Sequence, residues 1–520
     1  MADYDLADYD LAVIGGGLNG VSLARDAAGR GLRVILFEQG DLGGAASSAT
    51  SRLIHGDLAA LERRSFLRVR AALAEREVWL DVAPHLVRPA RFVIPAHANE
   101  RPPLHLRTGL WLYDRLARRR LPSAATLDVT HHPVGDALKR PIGTAFEFSD
   151  CLVDDSRLVV LTALDAAERG AEIRTGARCV RADREGLWRL AVIDRGHRRV
   201  LTARALANAT GAWSASTAET VLRQPVPRLM ATRVSQIVVP RLFDVDAVYV
   251  FQNSDGRLIF ASPYQREFTL IGTVAQPFTG DPAVVTAPAA DVVYLCTAAN
   301  RYFRHGIQPA DVIRTISGAN TVLSRGGGAG AMAGMMSFDA RRRRAPLLSM
   351  FGGDVTTVRR RAEQAVSRLA PFYPMRRPWT STAPLPGGDF GWDRFDDEVD
   401  AARARWKFLS ESEAQRLVGA YGSRVADVLG EAKSRAELGA GFGPELREAE
   451  VRYLMTREWA RFPDDILWRR SKLGLTMPQD AREALGAFMA SVFGSTDTSA
   501  VDTRRGDSQG APVEPQPVRR

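Results

Sequence analysis

Cysteine is scarce in this chain. Cys151, Cys179 and Cys296 are all there is in 520 residues, and no CxxC or zinc spacing links them. That sets aside a disulfide framework and a metal site, and it suits a reducing, cytoplasmic setting. Each thiol is expected to be a small buried apolar group rather than a nucleophile. Long apolar runs are missing too. None reaches the roughly 18 residues of a membrane span, so any membrane contact is expected to be peripheral. The N-terminus is acidic, and its apolar run passes straight into a glycine turn, unlike a secretory leader. Acid is in deficit: net charge is +10, with arginine runs at 118–120 and 341–344. Such a balance suits an anionic membrane or nucleic acid and by itself decides neither; a solvated basic face is the plainer reading of the runs.

What is present is ordinary globular composition, 45% hydrophobic and 25% charged, in a chain long enough for two or three domains. Residues 2–12 hold a tandem copy, ADYDLADYDLA, whose first half reads as an extension. Residues 11–14 then form the short apolar run of a buried parallel strand. A glycine turn, a helix over 18–30 and a strand over 34–37 ending at Glu38 complete a βαβ unit. Helices are expected over 65–80, with Leu67, Ala71, Ala74 and Val78 on the packed face, and over 157–169. The segment 103–120 is amphipathic, with Leu106, Leu110, Tyr113 and Ala117 in one stripe. Short alternating runs over 176–275 predict a mainly antiparallel sheet. Residues 384–388 (PLPGG) read as a linker, 393–493 as helical, and the polar tail from about 496 as disordered.

Gly15, Gly17 and Gly20 form GxGxxG between a strand and a helix. Gly15 allows the tight turn, Gly17 lets backbone approach a pyrophosphate, and Gly20 lets helix and strand close up. The helix N-terminus offers free N–H groups to the phosphates. Glu38 follows at the distance expected of a ribose acceptor, which argues against NADP. The motif alone does not separate FAD from NAD.

Residues 45–56 (AASSATSRLIHG) resemble the flavin-contacting segment of FAD-dependent glycerol-3-phosphate dehydrogenases, typically TSSASSKLIHGG. Further matches lie at 74–77, 83–86, 146–151, 153–158, 208–211, 271–273, 345–353 and 464–470, so the resemblance covers about 9–490. It implies an α/β fold: a Rossmann-like FAD domain of the glutathione-reductase/D-amino-acid-oxidase kind, an antiparallel-sheet substrate domain, and a helical C-terminal domain. The corresponding division is 1–95, 140–230 and 310–385 for FAD, 96–139 and 231–309 for the cap, 389–495 for the helical domain, and 496–520 for the tail. The resemblance also implies FAD contacts at Gly15, Gly17, Gly20, Glu38, Ser47, Ser48, Ser51, Gly211, Gly353 and Thr356. It implies a small polyol or polyol-phosphate substrate and electron transfer to membrane quinone from the inner face of the cytoplasmic membrane. A homodimer stays open, and no nucleic-acid partner is expected.

The substrate side departs from the family pattern. Where the family has HGGLRYLE, residues 55–62 place Ala59 and Ala60 for an arginine and a tyrosine. The histidine before IVVP aligns with Gln236, the arginine of SGVRPL with Asn320, that of TRDY near Met332, and the lysine of FGGKLTTYR with Asp354. Oxidising a secondary alcohol needs a base, and a phosphate dianion needs cations. Gln236 does not titrate. His55 and Asp57 are substitute bases, with support of the cofactor the plainer role for His55. Asp354 favours a neutral or cationic substrate. Arg233, Arg325 and Arg359 are candidates for a rebuilt anion site. Three readings remain open: a dehydrogenase, a non-catalytic flavoprotein, and an oxidase.

Overall fold

A computed structural model of the chain describes residues 7–96, 102–116, 120–139, 143–225, 229–253, 255–323, 334–340 and 344–493. Met332, Arg325, Arg118, Arg119, Ala117, the first copy of the tandem repeat and the tail from 496 lie outside the described residues.

The strand Tyr9–Ile14 lies in the middle of an eight-stranded sheet. It pairs in parallel with Val34–Glu38 on one side and His197–Asn208 on the other. Successive side chains of a strand point to opposite faces. Leu11, Val13, Val34 and Leu36 therefore enter one core, against the helices Leu18–Gly29, Asp155–Glu168 and Val358–Ser367. Ala12, Ile14, Ile35 and Phe37 enter a second core, closed by the hairpin of Ala177–Arg184 and Trp188–Asp194. Burial on both faces is why these runs are apolar without alternation.

A nine-stranded, mostly antiparallel sheet stands beside it. Phe92, Ile94, Val248 and Val250 pack under the helices Phe66–Val82 and Pro103–Arg115. Val93, Tyr249 and Phe251 pack under Ala289–Tyr302 on the other face. The helical unit has its own core, built on Phe395–Arg405, Glu411–Tyr421, Glu448–Arg457 and Gln479–Phe493. Among the described residues no helix is long and apolar enough to cross a membrane.

Four expectations change. First, the strands Val87–Pro95, Thr144–Val153 and Arg314–Leu323, grouped by chain position with the FAD domain, belong to the second sheet. Non-local pairing sets that boundary, and segment order does not reveal it. Second, the hairpin and strand over 177–208 join the first sheet, so the antiparallel run of 176–275 is divided between two sheets. Third, the packed face of Phe66–Val82 is not the predicted one. Leu67 is 83% exposed, while Val69, Leu73 and Trp79 are buried together with Glu75 and Arg76. Those two ions pair with Arg359 and Asp150, so the buried face carries charge and its apolar periodicity is masked. Fourth, 384–388 is packed rather than a free linker. Leu385 N–H donates to Val82 O at 2.7 Å, and a Cβ on Gly387 (φ +83°) would meet Tyr421 O at 2.0 Å.

Candidate active site

The glycine turn is shaped by close backbone approach. Gly15 has φ +110°, and a Cβ there would meet Ala209 O at 2.5 Å. A Cβ on Gly20 would come within 1.8 Å of Gly15 O. Gly17 is different: a Cβ there would meet Ser47 Oγ alone at close range, 2.9 Å away. Ser47 Oγ accepts from Leu18 N–H at 3.0 Å, in the first turn of Leu18–Gly29, where intrahelical acceptors are lacking. The Glu38 carboxylate accepts from Gly16 N–H and Gly40 N–H, both at 2.7 Å. Burial pushes its carboxyl up, against those two donors. The parallel register sets Ile14 beside Asn208, and Asn208 Oδ1 accepts from Thr210 Oγ at 2.7 Å. Beyond it Gly211 (φ +58°) faces open space where a Cβ would stand.

These residues fit FAD. The first helical turn offers donors and dipole to a diphosphate, Glu38 ends its strand where a ribose acceptor belongs, and Gly17 and Gly211 leave room for close approach. Other predicted contacts are engaged within the protein. Ser48 Oγ donates to Ala45 O at 3.2 Å. Thr356 Oγ accepts from His55 N–H at 3.1 Å. Ser51 is half-buried in the same segment. The space above Gly353 (φ +107°) is filled by the Arg361 guanidinium, which also donates to Asn19 Oδ1 and Gly352 O at 2.9 and 2.8 Å. Sequence reasoning passed over Arg361 and Asn19, because neither motif spacing nor periodicity marks a partner more than 300 residues away.

On the substrate side the candidates are mostly tied down. Gln236 is 1% exposed, and its Nε2 donates to Thr50 O at 2.7 Å and Ala49 O at 3.2 Å. It fastens the strand Leu229–Pro240 to the cofactor segment. Asp57 sits at φ +57° and pairs with Arg68 at 3.0 Å and Arg63 at 3.6 Å. Asp354 accepts from Thr357 N–H and Oγ at 2.8 and 2.9 Å, in the turn before Val358–Ser367. Arg359 is buried in a bidentate pair with Glu75, at 2.8 and 2.7 Å, and also bonds Glu363 and Thr380. It is a core ion, not an anion site. Arg233 pairs with Asp291 at 3.1 Å. Asn320 donates to Gly353 O at 3.4 Å.

His55 is the candidate left with a ring nitrogen to offer. Its Nδ1 accepts from Asp57 N–H at 3.1 Å. A neutral imidazole with Nδ1 accepting carries its proton on Nε2, so Nε2 is a donor. His55 is thereby set to donate to an oxygen rather than to take a proton from it. Behind it, Gly56 N–H donates to Tyr113 Oη at 2.6 Å, Tyr113 donates to Asp150 at 2.7 Å, and Arg76 closes the buried chain at 2.8 Å. The three thiols are buried, and burial pushes Cys296 up to about 11 and Cys179 up to about 12, far from nucleophilic use. Among the described residues no group of His, Cys, Asp and Glu could hold a metal ion.

Comparison with known proteins follows this geometry. The family described as FAD dependent oxidoreductase matches residues 10–342. The C-terminal domain of alpha-glycerophosphate oxidase matches 378–498. A glycerol-3-phosphate dehydrogenase of Pseudomonas aeruginosa is 42% identical over 492 residues, covering 93% of this chain and 95% of its own. A D-erythritol 1-phosphate dehydrogenase of Brucella abortus is 40% identical, covering 91% and 96%. The aerobic glycerol-3-phosphate dehydrogenase of Escherichia coli is 40% identical, covering 92% and 97%. In fold, the chain is similar to the glycerol-3-phosphate dehydrogenase from Bacillus halodurans complexed with FAD, with TM-score 0.75, 24% identity, and 94% and 92% coverage.

Proposed function

Since this chain belongs to the FAD-dependent oxidoreductase family, in the branch whose curated relatives are glycerol-3-phosphate and erythritol-phosphate dehydrogenases, we propose that it oxidises a carbinol of a small polyol or polyol phosphate with a weakened grip on phosphate. The observation that carries this reading is a contrast between the two groups of residues. The glycine turn and Glu38 fit FAD, while Gln236, Arg359 and Arg233 are engaged by protein groups. Bound FAD would supply the hydride acceptor for the carbinol carbon. The bond from Asp57 N–H to His55 Nδ1 leaves Nε2–H as a donor, and we assign it the role of holding the substrate oxygen and orienting the alcohol. With Asp57 held by two arginines, the hydroxyl proton leaves to water or to a substrate group. Glycerol 3-phosphate is the substrate the relatives' names suggest, and we rank unphosphorylated polyols beside it.

Membrane quinone as the acceptor, reached from the inner face of the membrane, belongs to the same proposal. On Pro103–Arg115, Leu104 and Trp111 are 69% and 54% exposed, and Arg115 lies over the Trp111 ring at 4.0 Å. Phe66 and Leu67 are exposed at the start of the neighbouring helix. An apolar face rimmed by arginines suits an anionic interface. Arg120 is not part of it, being paired with Glu77 and Asp81 at 2.8 and 2.6 Å. The assignment of Ser47, Ser51 and Gly211 to FAD, and the division into cofactor, cap and helical domains, are proposed on the same footing.

The test is anaerobic bleaching of the bound flavin by glycerol, erythritol and their phosphates. At least one should bleach it. If none does, the chain is a flavoprotein without this chemistry. Cosedimentation with anionic vesicles at low salt, weakened by Trp111→Ser, tests the membrane face.

A further inference from the structure

The helical unit meets the cofactor domain through ions, and two of them grip a loop that belongs to the FAD site. Asp41 lies three residues beyond Glu38, and its side chain is nearly sealed from solvent. Arg470, wholly buried, forks onto it, with Nη2 donating to Oδ1 at 2.8 Å and Nη1 to Oδ2. Arg469 reaches the same oxygen from Nε. Arg470 is itself fixed by donating to Glu458 O at 2.7 Å. Burial pushes the Asp41 carboxyl up, and the two guanidiniums more than reverse this, leaving it below its usual range.

The loop that Asp41 anchors is continuous with the glycine turn. Gly44 N–H donates to Asp41 O at 3.0 Å, Gly43 N–H to Gly16 O at 3.0 Å, and Gly40 N–H to Glu38. A second hold lies at the far end of the same loop. Lys472 pairs with Asp154, and the adjacent Asp155 accepts from Thr50 N–H and Oγ at 3.1 and 2.9 Å. Arg469 and Arg470 of the helical unit thus supply two cations to the carboxylate that fixes the start of 39–51, and Lys472 a third to Asp154, whose neighbour Asp155 holds its end. Arg157–Glu458 and Arg424–Glu168 also join the two units, but neither touches that loop. Simple docking would not need its cations gathered on the cofactor loop.

We infer that the C-terminal helical unit retains the cofactor by holding the loop 39–51, with Asp41 and Arg470 acting as positioning residues for FAD. This rests on the FAD assignment. Breaking the Asp41 pair frees the loop that aligns Glu38 and the turn, so the cofactor leaves faster while the rest of the docking surface persists. A buried pair that loses one partner weakens whatever it holds.

The experiment compares Asp41→Asn with Glu458→Gln in the full-length holoprotein. Both turn one buried carboxylate of the docking surface into an amide. FAD release is followed by recovery of free flavin fluorescence, and overall stability by thermal unfolding. Both variants should melt earlier. Asp41→Asn should release FAD roughly tenfold faster or more, and Glu458→Gln within about twofold of wild type. Arg469→Gln, which leaves Arg470 in place, should shift release in the same direction by less, and it serves if Asp41→Asn does not fold. Equal acceleration in the Asp41 and Glu458 variants, or unchanged release in Asp41→Asn and Arg469→Gln, overturns the inference. A colourless wild-type chain overturns the FAD assignment along with it.

Discussion

The cofactor-side and substrate-side residues differ in what their polar groups are doing. On the cofactor side the decisive features are backbone ones. Gly15 and Gly20 let backbone close up, Gly17 leaves a side-chain position unfilled, and the first turn of Leu18–Gly29 offers amides. On the substrate side the decisive features are side chains, and nearly every one has found a protein partner. Gln236 holds a loop, Asp354 holds a turn, Asp57 faces two arginines and Arg359 lies in a buried pair. Backbone geometry binds a dinucleotide whatever surrounds it. A side chain serves a substrate only while it stays uncommitted. The same fold can therefore keep its cofactor and change its chemistry.

The largest expected effect breaks the comparison from the substrate side. Gln236→His with Asp354→Lys restores a titrating group and a cation where both are missing. Turnover of glycerol 3-phosphate in a dye-linked assay should rise by roughly 10²–10⁴-fold, the usual worth of a general base. An unchanged rate would mean that the pocket fails for another reason.

The next effect comes from the cofactor side. Gly17→Val puts a branched side chain where the pyrophosphate approaches, while its nearest protein neighbour is a single serine hydroxyl. Overpacking of this kind costs about 1–3 kcal/mol, or about 5- to 150-fold in FAD affinity. Flavin content after gel filtration should fall with the far-UV spectrum unchanged. A fully yellow variant would show that the turn is not the diphosphate site.

The smallest effect lies on neither side and should leave both untouched. His85 is buried with no partner for either ring nitrogen among the described residues, and burial, with Arg157 adding to it, pushes it down to about 3. The unfolded chain protonates this imidazole near pH 6.5. Stability from His85 is whole above that pH and declines as pH falls from 6.5 toward 3, by about 1.4 kcal/mol per pH unit. Urea unfolding from pH 7 to 5 should show a shallower decline for His85→Asn than for wild type. FAD content should be the same in both at pH 7.

Much of the cofactor side was legible in the sequence because short spacing encodes it. The GxGxxG turn, Glu38 and the strand–helix–strand order are local, and the structure has them at 9–38. The family was legible from the segment at 45–56 and its companions. The commitments of the substrate side were not legible. Arg359 reads as a free cation until Glu75, 284 positions earlier, is found against it. The helix face at 66–82 was misread for the same reason, since its buried ions pair with distant strands and helices. Nothing in the local sequence marks Asp41, and only folding brings Arg470 onto it. Long-range ionic pairing leaves no periodicity behind.

The most direct test of the account is the rate at which glycerol 3-phosphate bleaches the flavin of the wild-type holoprotein in anaerobic stopped flow. With Gln236 in place of a base, reduction should be roughly 10²–10⁴-fold slower than in a relative that has one, and free glycerol and erythritol should bleach the flavin about as fast as their phosphates do. Fast, saturable bleaching by glycerol 3-phosphate, far ahead of the free polyols, would contradict it.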